Sequence, residues 1–90
     1  AASDVYKRQD LYGAADRLAR DATHSAGRST VLDLVPQLSP TVPPYGMAAS
    51  AWATIVGRAQ AVVELFEEGA DPELVTAAAD GLRSACRPYV

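Results

Sequence analysis

His24 and Cys86, the single histidine and the single cysteine, are the first residues to weigh for chemistry. An imidazole acts as a general base when a nucleophile lies within reach and a carboxylate orients the ring. Asp21 stands three residues before His24, whereas Arg20, four residues before it, carries the wrong charge to orient the ring. No nucleophile is identifiable beside the pair, so His24 reads as an exposed histidine at a helix end. One histidine and one cysteine supply only half the ligands of a zinc site. A lone cysteine also excludes an intrachain disulfide and fits a small buried hydrophobe.

The densest acidic group is Glu64, Glu67, Glu68 and Asp71. Such a cluster holds a cation or works as an acid–base pair only where its surroundings desolvate it and shift a pKa. No such surroundings are visible, and the group reads as the wet face and end of a helix. Gly13, Gly46, Gly57 and Gly81 stand alone and form no phosphate-cradling loop, and no G-x-S-x-G elbow occurs. The sequence therefore predicts no catalytic residue, no cofactor-binding residue, no cofactor and no metal.

The first nine residues, AASDVYKRQ, need separate treatment. Back-translated as GCA GCG TCA GAT GTG TAT AAG AGA CAG, they reproduce the end of an adapter used in transposon-based sequencing libraries. The remaining composition differs from them. From Asp10 to Val90 there is no lysine or asparagine, one isoleucine (Ile55) and one phenylalanine (Phe66), as a GC-rich genome would encode. Residues 1–9 are accordingly expected to be translated adapter and are set aside. A frame open to the adapter further leads us to expect that 10–90 is the C-terminal part of a larger bacterial protein. On that expectation a missing signal peptide says nothing, and the compartment stays open.

Residues 10–90 suffice for one small domain whose independent folding is marginal. Their six arginines are scattered, and their net charge is −4 against −3 for the whole chain. Nucleic-acid binding through phosphates needs clustered Lys or Arg, so it is disfavoured. The most apolar stretch, 47–66, is interrupted by Arg58, Gln60 and Glu64 and makes a poor membrane span.

Three segments carry helical periodicity. The first spans about 10–25, with Leu11, Ala15, Leu18 and Ala22 on one face and Gly27 as its stop. Asp16–Arg20 and Arg17–Asp21 sit at i,i+4 along it. The second spans about 47–68, where Ala48, Trp52, Ile55, Ala59, Val62 and Phe66 form a stripe broadened by Val56, Val63 and Leu65. Gly69 ends it, with Glu67 and Glu68 unfavourably placed near the negative end of the dipole. The third spans about 72–86: Asp71 can cap it, Pro72 suits its first position, and Leu74, Ala78, Leu82 and Cys86 line one face. The short link Gly69-Ala70-Asp71 favours an antiparallel hairpin of the last two helices.

Between the first two helices, Ser29 to Val35 fits either one or two helical turns capped by Ser29 or a short extended run. Pro36, Pro40, Pro43 and Pro44 then forbid a continuous helix. Because Leu34, Val35, Leu38 and Val42 are apolar, this connection is expected to lie across the helices as a packed strap. The predicted fold is all-α: three helices, an antiparallel C-terminal hairpin, and a proline-rich apolar connection between helices one and two.

Ala49-Ser50-Ala51-Trp52 is similar in flavour to small secreted helical hairpins with a Trp-x-Gly turn, but Trp52-Ala53-Thr54 lacks the glycine. Core packing explains Trp52 better. The order of elements resembles helical domains that follow some bacterial β-N-acetylglucosaminidase catalytic domains. No diagnostic residue carries that resemblance, and no activity or site is transferred from it.

The leading expectation is a non-catalytic accessory segment packed against upstream sequence of its own parent chain. The competing one is an interaction module that binds a partner helix or forms a homodimer through Trp52, Ile55, Phe66, Leu74 and Leu82. Neither involves nucleic acid or a membrane.

Overall fold

The computed structural model describes residues 2–90, with side chains from Tyr6 onward; Ala1, part of the segment read as adapter, lies outside them. The described residues form α1 (Ala2–Arg20), α2 (Ser25–Leu34), α3 (Ala49–Glu68) and α4 (Pro72–Cys86), with 3₁₀ turns at Val35–Gln37 and Arg87–Tyr89. No strand occurs among them, and the all-α class holds with four helices rather than three.

Helix α1 buries Leu11, Ala14, Ala15 and Leu18, the face anticipated from their spacing. It stops at Arg20, earlier than expected, because Asp21 takes over the local hydrogen bonding. The Asp21 carboxylate accepts from the Thr23 amide at 2.9 Å and from the Thr23 hydroxyl at 2.6 Å. Short polar side chains that bond backbone two residues on compete with helix in this way. Ala22 consequently falls outside the helix, and Asp21 pairs with Thr23 instead of extending an i,i+4 ladder with Arg17.

The ambiguous 29–35 segment belongs to α2, which begins well before Ser29. His24 is the N-cap, with φ −62° and ψ 111°, and its Nδ1 accepts the Gly27 N–H at 3.0 Å. Gly27 is therefore no stop signal; it lies in the first turn of α2, pressed against α1. A Cβ placed there would meet Leu18 Cγ at 3.0 Å and the Ala14 carbonyl oxygen at 3.3 Å. Only a residue without a side chain lets the two helices approach so closely.

The proline-containing connection joins α2 to α3. Pro36 sits in the first turn of the 3₁₀ helix, where its missing N–H costs nothing. Leu38, Pro44 and Met47 are buried and tie the strap down, whereas Val42 is exposed, against expectation. Trp52 fixes the strap from below by donating its Nε1–H to the Ser39 carbonyl at 2.6 Å.

Helix α3 starts at Ala49, after an extended Ala48, so Ala48 is outside the buried stripe. Trp52, Ile55, Val56, Ala59 and Val62 are buried along it, and Phe66 packs at the core edge. Gly69, left-handed at φ 67°, ends the helix as expected. Its N–H bonds the Phe66 carbonyl at 3.2 Å, and the Ala70 N–H bonds that of Leu65 at 3.0 Å. Glu67 and Glu68 are exposed.

The chain then returns in α4, antiparallel in sequence and packed on both α3 and α1. Asp71 occupies the N-cap position without a side-chain cap bond; its carbonyl accepts from Leu74 and Val75 instead. Val75, Ala79, Leu82 and Cys86 form the buried stripe, one residue out of phase at its start with the anticipated Leu74 face. Leu74 itself is 54% exposed.

Polar contacts lock this arrangement. Arg83 reaches from α4 to Asp16 on α1 at 3.0 Å and also binds Asp80, while Arg20 binds the second Asp16 oxygen at 3.2 Å. Arg58 donates from α3 to the Gly81 carbonyl of α4 at 3.0 Å. The Asp16–Arg83 pair is about three-quarters shielded from solvent at each partner, so salt should screen it only in part. Arg83→Gln is expected to lower the thermal midpoint, with the deficit shrinking as salt rises. Melts of both chains at low and high ionic strength check this; a salt-independent deficit would assign the loss to packing of the arginine stem.

Candidate functional site

The side chains first weighed for chemistry are spread over the chain: Asp21 and His24 in the α1–α2 turn, Cys86 on α4, and the acidic group at the end of α3 and the turn after it. His24 caps α2 through Nδ1 and is half-buried. Asp21 lies beside it, but both hydrogen bonds that its carboxylate makes run to Thr23. Those bonds, hydroxyl first and amide second, hold the Asp21 carboxyl below its ordinary 3.8, with a smaller pull from the His24 charge. The arrangement is a turn followed by a cap. It orients the imidazole toward a backbone amide instead of a substrate.

Cys86 closes the buried stripe of α4 at 2% exposure. Burial raises its thiol from 9.0 to about 11, because an apolar interior disfavours the thiolate. The thiolate is the reactive form, so Cys86 should resist alkylation in the native chain. Iodoacetamide labelling near neutral pH is expected to follow unfolding, measured by its acceleration as urea rises. The same shift has a stability consequence with a definite sign. Above pH 9 the unfolded thiol gives up its proton while the folded one keeps it, so the unfolded state binds fewer protons. Stability falls as pH rises from 9 toward 11, and Cys86→Ala removes that component of the alkaline slope.

The acidic residues Glu64, Glu67, Glu68 and Asp71 are all exposed. Glu64 and Glu67 border an open groove with Val35, Pro36, Gln60 and Val63. Among the described residues, no group of three or more His, Cys, Asp or Glu side chains is placed to hold a metal ion. None of the described helices is long and apolar enough to cross a membrane.

The five residues singled out for an interface separate into three settings. Trp52, Ile55 and Leu82 are buried within the one chain at 3%, 1% and 0% exposure. Phe66 is half-buried, and the Arg28 guanidinium lies 5.2 Å above its ring centroid, within the range of a cation–π contact. Leu74 faces solvent on the outer side of α4. Val42 and Tyr45 are also exposed, on the strap, and Tyr89 follows α4. Val42 and Pro44 line a groove together with Leu38 and Trp52.

Two contacts that define this surface had no local signature. Arg28 meets Phe66 across 38 positions of sequence, and Arg58 meets Gly81 across 23. Neither separation corresponds to a helix repeat, so periodicity alone could not pair them. The His24 cap did have a signal: a short-range acceptor preceding an apolar run. Histidine is outside the usual capping set of Ser, Thr, Asp and Asn, which directed attention to Ser29.

No protein-family model matches the chain, and comparison with curated proteins and with solved structures gives no match.

Proposed function

We propose that residues 10–90 are a non-catalytic accessory helical segment of a larger bacterial protein, acting by packing against other polypeptide, and that residues 1–9 are translated adapter. The observation that carries this is the use made of His24: its ring nitrogen is spent on a backbone amide. Asp21, Arg83 and Cys86 serve structure in the same way, through a turn, an interhelical pair and a buried stripe. Apolar side chains meanwhile remain in solvent at Val42, Tyr45 and Leu74, available to cover a neighbouring surface.

Residues 6–9 support the second half of the proposal. No residue among 6–9 is buried as a whole, and the first buried residue after them is Leu11. Arg8 Nε is also a buried side-chain atom without a hydrogen-bond partner, a condition native sequences largely avoid.

Sequencing the source DNA in long reads across the Gln9–Asp10 junction tests the proposal. In-frame coding sequence that continues upstream without the adapter codons supports an accessory segment. The same AASDVYKRQ codons in the native gene would overturn it.

A second reading, a homodimer or partner-helix module, is favoured by the exposure of Leu74 on an otherwise well-packed helix. Light scattering over a concentration series separates the two. Association abolished by Leu74→Glu supports the module, and a monomer throughout counts against a homodimer.

A further inference from the structure

In the turn joining α1 to α2, one hydrogen bond ties the side chain of the turn to the start of α2. His24 Nδ1 accepts the Gly27 N–H at 3.0 Å. Gly27 is buried, with Leu18 and the Ala14 carbonyl pressed against the place where its side chain would be. In the first turn of a helix the amide has no carbonyl four residues back to bond, and the burial of Gly27 limits the access of water to it. A ring nitrogen accepts only while it carries no proton. Acid therefore removes the acceptor from an amide that has no substitute.

We propose that this corner is a proton-responsive joint, in which neutral His24 holds α2 against α1 and protonated His24 releases it. The charged surroundings are sparse. Asp21 is the adjacent acid and favours the imidazolium, but its carboxylate is occupied by Thr23 and lies in solvent. On α1, the Arg20 guanidinium turns away to Asp16, and Arg17 is exposed. On α2, the Arg28 guanidinium sits over Phe66. The α3–α4 turn borders the same groove as Ala22, Thr23 and Arg28, and it carries the exposed acids Glu67, Glu68 and Asp71. The positive end of the α2 dipole faces the ring and opposes its protonation. Loss of the bond and the dipole thus act together, against carboxylates that all lie in solvent.

The unfolded chain takes up a proton at His24 without breaking anything, whereas the folded chain forfeits the cap. Protonation consequently removes a bond that the folded chain makes and the unfolded chain does not. Release would propagate along α2 into the 3₁₀ turn and the strap, which follow it without interruption.

The test compares urea unfolding of the parent chain and His24→Asn, followed by Trp52 fluorescence, at about pH 7.5 and about pH 5.5. Asparagine is a good cap whose acceptor does not titrate. Acidification is expected to lower the folded-to-unfolded ratio of the parent roughly five- to tenfold more than that of His24→Asn. Equal pH slopes for the two chains would overturn the proposal. An independent readout needs no variant: the Gly27 amide should lose hydrogen-exchange protection and shift in step with the His24 ring nitrogens. A Gly27 amide indifferent to that titration would overturn it equally.

Discussion

Replacing Trp52 with alanine is expected to cost about 3–5 kcal/mol, as truncation of a buried aromatic does. The side chain is 3% exposed and underlies the strap, where its Nε1–H reaches the Ser39 carbonyl. Small domains have stabilities near the low end of the usual range of roughly 5–15 kcal/mol, so Trp52→Ala should be largely unfolded. Circular dichroism melts report this directly, and a melting curve close to that of the parent would refute it. Trp52→Phe isolates the polar component, because it keeps most of the apolar volume and deletes only the donor to Ser39. Ser39 is exposed, and water can satisfy its carbonyl, so the loss should be about 1 kcal/mol. For a chain of this size that corresponds to a drop of roughly 4–8 °C in Tm.

Leu18→Ala should be comparably severe, at about 2–5 kcal/mol, since Leu18 is completely buried where α1 meets α2. Its neighbour Gly27 makes the more informative experiment. Alanine is the better helix former by about 1 kcal/mol, and on propensity alone Gly27→Ala would stabilise α2. The new methyl would instead stand 3.0 Å from Leu18 Cγ and 3.3 Å from the Ala14 carbonyl, which belongs to the backbone of α1 and cannot yield easily. Overpacking of this kind costs about 1–3 kcal/mol, so the net effect is destabilising. Combining the two changes relieves the Leu18 clash. The double variant should therefore lose less than the sum of the singles, which a thermodynamic cycle in urea measures. Strict additivity would show that the two residues do not meet.

The same two sites show where the amino-acid sequence is a good guide and where it is not. Helix α3 was legible because Trp52, Ile55, Ala59 and Val62 repeat at three and four and all point to one core. Its end was legible because a left-handed residue after a helix is nearly always glycine, as at Gly69. Helix α4 was legible in extent but not in phase. Leu74 and Val75 are both apolar, and only the position of α1 above the helix selects Val75, Ala79, Leu82 and Cys86 for burial.

Helix α2 was half legible. Glycine marks both helix ends and close helix contacts, and Gly27 serves the second purpose. A short segment holding Val31, Leu34 and Val35 cannot announce its own conformation. Of the candidate site, the residue types were readable, but their employment was not. Whether His24 meets a substrate or an amide depends on the turn that Asp21 and Thr23 set just before it. The interface residues raise the same difficulty in reverse: hydrophobicity identified Trp52, Leu74 and Leu82 equally, and packing alone separates the buried from the exposed.

The first and last helices of this chain pack more extensively on each other than α3 and α4 do within their hairpin, and Asp16 and Arg83 are joined across 67 positions of sequence. An arrangement of this kind is closed by α4. During synthesis, Leu11, Ala14, Ala15 and Leu18 must wait with part of their face uncovered until α4 has left the ribosome. The α3–α4 hairpin, with its three-residue link, can form early, but it cannot replace the missing partner for α1. The α1–α4 contact is thus expected to form late, since loop-closure entropy must be met before the distant helices reward each other. A messenger cut short before Val75 would yield a chain with its longest-standing apolar face still open, and quality control would have an exposed target from the first helix onward.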